Sequence, residues 1–263
     1  MIYISKKVLE IKLLIMNKKY KILGVIPVRG GSKGVPRKNI KLLNGKPLLY
    51  YMLTSALKSK TFDYVAVSSE DDEILDIAGR YGKKNKKFIL IKRPKNLALD
   101  STPTLPVIQH AVVQLEKEKK IKFDYIVLLH AVSPLTYADD IDKVVEKLIR
   151  TKADSVVSVY EVPGGYHPVK MKKIVKDRLY QYVPSMPEKS FRRQDFDSIY
   201  KRAGGIYAVK RDVVMKNLFS LGFFCGKVTR PYIITPPERA IDIDDEVDFF
   251  VAEKIGKKLR IFK

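Results

Sequence analysis

The chain has 263 residues, 46% of them apolar, with 51 Lys and Arg against 29 Asp and Glu, for a net charge of +22. The length suits one large α/β domain, the composition excludes a low-complexity or disordered chain, and the single cysteine, Cys225, excludes an internal disulfide framework and fits a reducing cytoplasm. A pI near 9.8 permits a nucleic-acid or anionic-membrane partner, but the lysines are dispersed without a basic tail, so neither partner is expected.

The first 19 residues hold no apolar run longer than "LLIM", too short for a signal core or a membrane span. Met16 lies just before the first strand, so residues 1–19 read as an extension that could stem from an upstream start, with one domain over residues 20–263. "KILGVIPV" (Lys21 to Val28) is a continuous apolar run, as expected of a buried parallel strand. A helix from Leu48 follows, with Leu49, Met52, Leu53, Ala56 and Leu57 on one face. "YVAVSS" (Tyr64 to Ser69) is a second strand, and Ser69 is a candidate cap for a helix whose acidic first turn is "EDDE". "FILI" (Phe88 to Ile91), a helix from Thr104, "YIVLL" (Tyr125 to Leu129) and a helix from Asp139 to Arg150 continue the alternation. That rhythm predicts an α/β fold: a three-layer, mostly parallel sheet with helices on both faces. After "SVVSVY" (Ser155 to Tyr160) the rhythm breaks, and residues 161–195 read as a β-rich arm. "GGIYAVK" (Gly204 to Lys210) returns to the core, and a last helix from Glu246 carries Val247, Phe250, Val251 and Ile255.

Two stretches carry chemistry. "IPVRGGSKGVPRKNIK" (Ile26 to Lys41) places two adjacent glycines and five basic residues just after the first strand, where α/β sheets bind ligands. Backbone N–H groups freed by glycine close around phosphate oxygens, and Arg and Lys add charge-assisted hydrogen bonds. The loop is neither a Walker A motif nor a dinucleotide fingerprint, and a solvated surface turn is its plainer reading. Downstream, "AIDIDDEVDFF" alternates Asp242 and Asp244 with Ile241 and Ile243, so an extended backbone points both carboxylates one way. Two hard oxygen ligands suit Mg²⁺, which takes one or two carboxylates plus substrate phosphates; a helix-capping cluster is the alternative. Asp245, Glu246 and Asp248 form the acidic start of the last helix. Together, a cationic loop for the outer phosphates and a carboxylate-held metal are the parts of nucleotidyl transfer.

With "VAVSSEDDEILDIA", "RPKNLALDSTPT", "SPL", "RRQ", "GGIY" and "AIDIDDEVDF" in this order, the chain resembles the acylneuraminate cytidylyltransferases from about Tyr20 to Leu259. These include the CMP-sialic, CMP-legionaminic and CMP-pseudaminic acid synthetases. The resemblance implies a nucleotide-diphospho-sugar transferase-like, Rossmann-like fold, CTP and Mg²⁺, a nonulosonic acid acceptor, and a homodimer formed through the arm at 161–195. It implies a triphosphate site at Arg29, Ser32, Lys33 and Lys38, with Asn39 on the nucleotide. It places Arg93, Thr102 and Thr104 at cytidine, Asp242 and Asp244 on the metal, and Arg193, Gln194 and Tyr207 around the sugar. Arg29, Lys38, Asp242 and Asp244 are then the catalytic set, and the anomeric hydroxyl of a 2-keto sugar acid attacks the α-phosphorus of CTP. A metal-bound hydroxide and Asp244 itself both stay open as the base.

Three departures fall on the acceptor side. The family's "QPTSPLR" is here "HAVSPLT", which puts His130 where a sugar-contacting Gln is expected and Thr136 in place of an Arg. "NGAIY" is here "AGGIY", with Ala203 in place of an Asn. A neutral His donates or accepts a hydrogen bond, so His130 stays a candidate for the sugar, with a plain strand-end residue as the alternative. Competing expectations are a synthetase for another sugar acid such as Kdo, a nucleotide-binding relative without turnover, and, least of all, a nucleic-acid-binding protein.

Overall fold

The computed structural model describes residues 20–262 apart from 33, 186–195, 220–221 and 223. The expected extension at 1–19 therefore lies outside the described residues. In chain order come β1 (Ile22–Pro27), a small hairpin of β2 (Leu42–Leu43) and β3 (Lys46–Pro47), α1 (Leu48–Lys58), β4 (Tyr64–Ser69) and α2 (Asp72–Gly82). Then follow β5 (Phe88–Lys92), α3 (Thr104–Lys119), β6 (Tyr125–Leu129), α4 (Ala138–Thr151) and β7 (Ser155–Glu161). A hairpin of β8 (Lys172–Val175) and β9 (Arg178–Gln181) precedes β10 (Tyr200–Lys210), α5 (Arg211–Met215), β11 (Thr229–Ile233) and α6 (Glu246–Lys258).

Seven strands form one sheet in the order β11-β7-β10-β6-β1-β4-β5. β10 runs antiparallel to both its neighbours, and the other pairs are parallel. Residues alternate across the pleat: along β1, Ile22 and Ile26 enter one core and Leu23 and Val25 the other. The first core is closed by α1, α2 and α4 through Met52, Leu53, Ile74, Ala78, Val144 and Leu148. The second is closed by α3 and α5 through Ile108, Ala111, Leu115, Val213 and Val214. This is the three-layer arrangement that the alternation predicts, because strands apolar on both sides need a helical layer on each.

The chain reverses its direction of growth at β1, with β4 on one side and β6 on the other. The loops leaving β1 and β6 therefore part at the C-terminal edge and open a crevice, the place where open α/β sheets bind ligands.

Three expectations change. Ser69 does not cap α2; Asp71 does, accepting from Ile74 N–H at 3.2 Å, while Ser69 Oγ accepts from Asp71 N–H at 3.1 Å. The helix starts later because Glu70 is turned to another use, described below. The strand expected at Gly204–Lys210 is longer, Tyr200–Lys210, and β11 completes the sheet edge without a forecast. The stripe on α6 also faces outward: Val247, Phe250 and Val251 are 64%, 69% and 41% exposed, and Phe249 and Ala252 are buried instead. The rotation of α6 follows from its anchors. Ile243 and Phe249 enter a third cluster with Val35, Leu43, Leu48 and Leu135, and Phe262 lies against Gly256.

Candidate active site

The loop after β1 is held both by its neighbours and by bonds within itself. Val28 N–H donates to Ser68 O at 3.0 Å, Gly30 N–H to Glu70 Oε1 at 2.8 Å, and Asn39 Nδ2 to Arg29 O at 3.0 Å. Arg37, in the left-handed region at φ 57°, pairs with Asp71 and Glu73. The Asp71 bond raises the Arg37 guanidinium above its ordinary value, and Arg37 in turn holds the Asp71 carboxyl below the usual range. Arg29 Nη1 lies 3.1 Å from Asp100 Oδ1. Gly34 passes so close to the backbone of Asp244 that a Cβ there would lie 2.5 Å from the Asp244 carbonyl oxygen. Only a residue without a side chain lets the loop reach the carboxylate segment.

That segment, residues 241–244, is irregular backbone: Ile241 and Ile243 pack into the α6 cluster, while Asp242 turns into a recess and Asp244 toward Lys38 at the main cavity. Ile243 N–H donates to Val132 O at 2.9 Å, which ties it to the turn after β6. Asp242 Oδ1 accepts from Ser133 Oγ, and Oδ2 accepts from Gly204 N–H at 2.9 Å. Burial raises the Asp242 carboxyl above its ordinary value, the two hydrogen bonds oppose this, and the like charge of Asp244 adds to it. Asp244 is exposed and accepts from Lys38 Nζ at 3.2 Å; the same ammonium donates to Ile243 O at 2.6 Å. Asp245 opens α6 in a reciprocal capping box with Asp248.

A cavity of about 400 Å³ lies in the crevice. Of the predicted residues it is lined by Arg29, Ser32, Lys38, Asn39, Arg93, Thr102, Thr104, His130 and Asp244. These come from four separate stretches of chain. Lys33, Arg193 and Gln194 lie outside the described residues. Tyr207 and Asp242 sit beside the cavity. The Tyr207 ring is 5.6 Å from that of His130, and burial raises its hydroxyl above the ordinary value. Asp242 opens into a small recess with Ser133, Thr136, Ser158, Ala203 and Gly205. Of the three departures, then, only His130 faces the main cavity; Thr136 and Ala203 are buried behind Asp242. Burial pushes the His130 imidazole down to about 4, so the ring is neutral near pH 7.

Three residues that pattern reading passed over complete the site. Glu70 is visible in sequence only as part of an acidic helix start. Ser133 is visible only as the Ser of "SPL", and Asp100 only as a loop aspartate; no spacing marks any of the three as a site residue.

Among the described residues, no three His, Cys, Asp or Glu side chains gather as a self-sufficient metal site. Asp242 and Asp244 nevertheless suit a divalent cation completed by substrate phosphates, since a half-buried carboxylate raised by desolvation, with a like charge near it, gains from a cation beside it. No helix of the described residues is long and apolar enough to cross a membrane.

A glycine-bearing cationic loop at a switch point thus shares a cavity with Asp244, and Asp242 lies in the recess beside it; the matches to known proteins make the chain a nucleotidyltransferase. The chain belongs to the cytidylyltransferase family, whose model matches residues 23–221. It is 31% identical over 243 residues to the post-translational flagellin modification protein B of Campylobacter coli, covering 90% of this chain and 95% of that one. It is 34% identical over 187 residues to a pseudaminic acid cytidylyltransferase of Campylobacter jejuni, covering 71% and 77%. A CMP-N,N'-diacetyllegionaminic acid synthase of Legionella pneumophila is 29% identical over 242 residues, covering 89% and 96%. Among solved structures, a CMP:2-keto-3-deoxy-manno-octonic acid synthetase complexed with CTP superposes with a TM-score of 0.64 over 91% of this chain and 99% of that one, at 17% identity. That likeness bears on the fold alone.

Proposed function

We propose that this cytidylyltransferase activates a nonulosonic acid of the sialic type with CTP, giving the CMP-sugar and pyrophosphate. The observation that carries the reading is the single cavity in which Arg29, Lys38, Arg93 and Asp244 meet, together with relatives named for pseudaminic and legionaminic acids. Arg29, Ser32, Lys33 and Lys38 hold the β- and γ-phosphates, Asn39 steadies the loop, and Arg93, Thr102 and Thr104 wall the cytidine. His130, Tyr207, Arg193 and Gln194 receive the sugar acid. The anomeric oxygen forms a bond to the α-phosphorus, the bond to the bridging β-oxygen breaks, pyrophosphate leaves, and the hydroxyl proton passes to solvent. Asp242 and Asp244 would hold Mg²⁺, which supplies charge stabilisation at the reacting phosphate. Excess positive charge draws both anionic substrates to the cleft.

The protein acts as a cytoplasmic homodimer in this reading. Support comes from the β8–β9 hairpin, where Ile174 and Leu179 face each other across the strands at 74% and 72% exposure. A lone two-stranded hairpin is marginal in water, and a second copy covering these side chains would stabilise it.

The test is pyrophosphate release with CTP and Mg²⁺ against sialic, legionaminic, pseudaminic and Kdo acids. Release that requires CTP and one nonulosonic acid is the expected result. Release with Kdo alone would move the acceptor to another sugar acid, and no release with any acid would sink the reading.

A further inference from the structure

The loop after β1 and Arg93 after β5 both line the cavity, and they hang on the same two groups. Both groups stand at the C-terminal end of β4, Ser68 within the strand and Glu70 just after it. Ser68 O accepts from Val28 N–H at 3.0 Å and from Arg93 Nη1 at 3.1 Å. The Glu70 carboxylate accepts from Gly30 N–H at 2.8 Å through Oε1 and from Arg93 Nη2 at 2.7 Å through Oε2. Both side chains are shielded, Arg93 at 3% and Glu70 at 15% exposure. A charge-assisted bond at that depth holds its geometry, because water does not compete for it.

We propose that Glu70 is a positioning residue that sets the cytidine wall and the triphosphate loop in register, an inference that rests on the CTP reading above. Its two oxygens face in two directions, one to the loop backbone and one to the guanidinium. Moving either element breaks a bond to the other's anchor. By neutralising Arg93, Glu70 also leaves the phosphates to Arg29, Ser32 and Lys38, and reserves Arg93 for the base. Burial lowers the Arg93 guanidinium from its ordinary value, and Glu70 opposes this, which keeps the cation in place beside the cavity.

The sign of one effect separates this role from plainer ones. Glu70 is an anion next to a phosphate-binding loop. If its charge were its whole contribution, Glu70→Gln would tighten the binding of a phosphate chain. If it were only a structural brace, the variant would melt earlier but bind normally well below its melting temperature. A positioning residue predicts the opposite sign for phosphate. The carboxamide can serve Gly30 or Arg93 but not both, since its nitrogen is a donor. Glu70→Asp keeps the charge and lacks the reach.

The experiment is calorimetric titration of the full-length protein, wild type, E70Q and E70D, with CMP as the base-side probe and inorganic tripolyphosphate as the phosphate-side probe, well below each Tm. Each variant should lose about five-fold in affinity for both probes, the scale of one misplaced hydrogen bond, and about the product of the two for CTP. Should E70Q not fold, E70D carries the same readout. Unchanged affinities in the variants, a loss confined to one probe, or tighter tripolyphosphate binding by E70Q would overturn the proposal alone. A wild type that binds neither probe would overturn the CTP reading and this inference with it.

Discussion

The two sides of the cavity are built by different means. On the proposed nucleotide side the described cations of the loop have anionic partners: Arg29 with Asp100, Arg37 with Asp71 and Glu73, Lys38 with Asp244, Lys41 with Glu246. On the proposed acceptor side the carboxylate of Asp242 is held by a hydroxyl and a backbone N–H, among small residues packed at close range. Exposed ion pairs such as Arg29–Asp100 are weak and exchange partners readily, so a triphosphate can take over from Asp100 at little cost. Close packing does not exchange. The nucleotide side is a set of charges awaiting a stronger anion, and the acceptor side is a shape.

The sharpest way to break that contrast is at Asp242. Asp242→Ala removes the half-buried carboxylate and should lower kcat for pyrophosphate release by about a thousand-fold or more, with CTP affinity in the absence of metal changed only a few-fold. A variant that retains a tenth of the activity would remove Asp242 from the catalytic set.

Next in size is a test of shape without any change of charge. A Cβ on Gly204 would lie 2.4 Å from Asp242 Oδ2, so Gly204→Ala must displace the carboxylate or the strand. A misplacement near 1 Å at reacting groups costs on the order of a hundred-fold, so kcat should fall by about that factor while tripolyphosphate binding is unaltered. Equal losses on both sides of the cavity would mean that the two sides are not independently built.

The nucleotide side should respond more gently. Arg29→Ala removes a cation from the loop together with its pairing to Asp100. KM for CTP should rise by about ten- to a hundred-fold with a smaller change in kcat. The companion Asp100→Asn, which keeps Arg29 and removes its competitor, should lower KM for CTP. A rise in KM there would give Asp100 a ligand contact of its own.

These contrasts also explain what could be read from sequence. The helices beginning at Leu48, Thr104 and Glu246 and the strands Tyr64–Ser69 and Tyr125–Leu129 start where apolar period and punctuation place them. Local pattern dictates local backbone there. The loop and the Asp242–Asp244 pair stood out because charge and glycine are rare together at a strand end; in the fold the loop meets Asp244 through Lys38, and Asp242 lies in the recess beside them. What escaped is what depends on partners far along the chain. The 3.6-residue stripe of α6 is real, but its rotation is set by Ile243, Phe249 and Phe262 finding their own pockets. The four residues Glu70 to Glu73 look like a uniform acidic cap. In the fold they divide: Asp71 caps, Glu73 pairs with Arg37, Asp72 pairs with Lys92, and Glu70 turns to Gly30 and Arg93. Composition cannot tell four carboxylates apart; only their neighbours can.

The smallest expected effect lies at His130, where the two sides meet. Its imidazole, pushed down to about 4 by burial, ionises far below the ordinary histidine value near 6.5. In the unfolded chain the ring takes up a proton as pH falls through about 6.5, while the native ring resists until about 4. The unfolded state therefore binds more protons across that window. The stabilising bias is fully present above about pH 6.5 and is lost as pH falls toward 4. His130→Gln removes the bias, so the variant should lose less of its Tm between pH 7 and pH 5 than the wild type, by a few degrees. His110, lowered chiefly by burial and also by Arg93, keeps part of the acid sensitivity in both proteins. In catalysis the same substitution should shift kcat/KM for the sugar acid by several-fold and leave KM for CTP unchanged, because a neutral ring and an amide offer similar hydrogen bonds in different shapes. Identical acid slopes in the two proteins would show that His130 is solvated rather than buried, and a shift in the KM for CTP alone would move it to the nucleotide side.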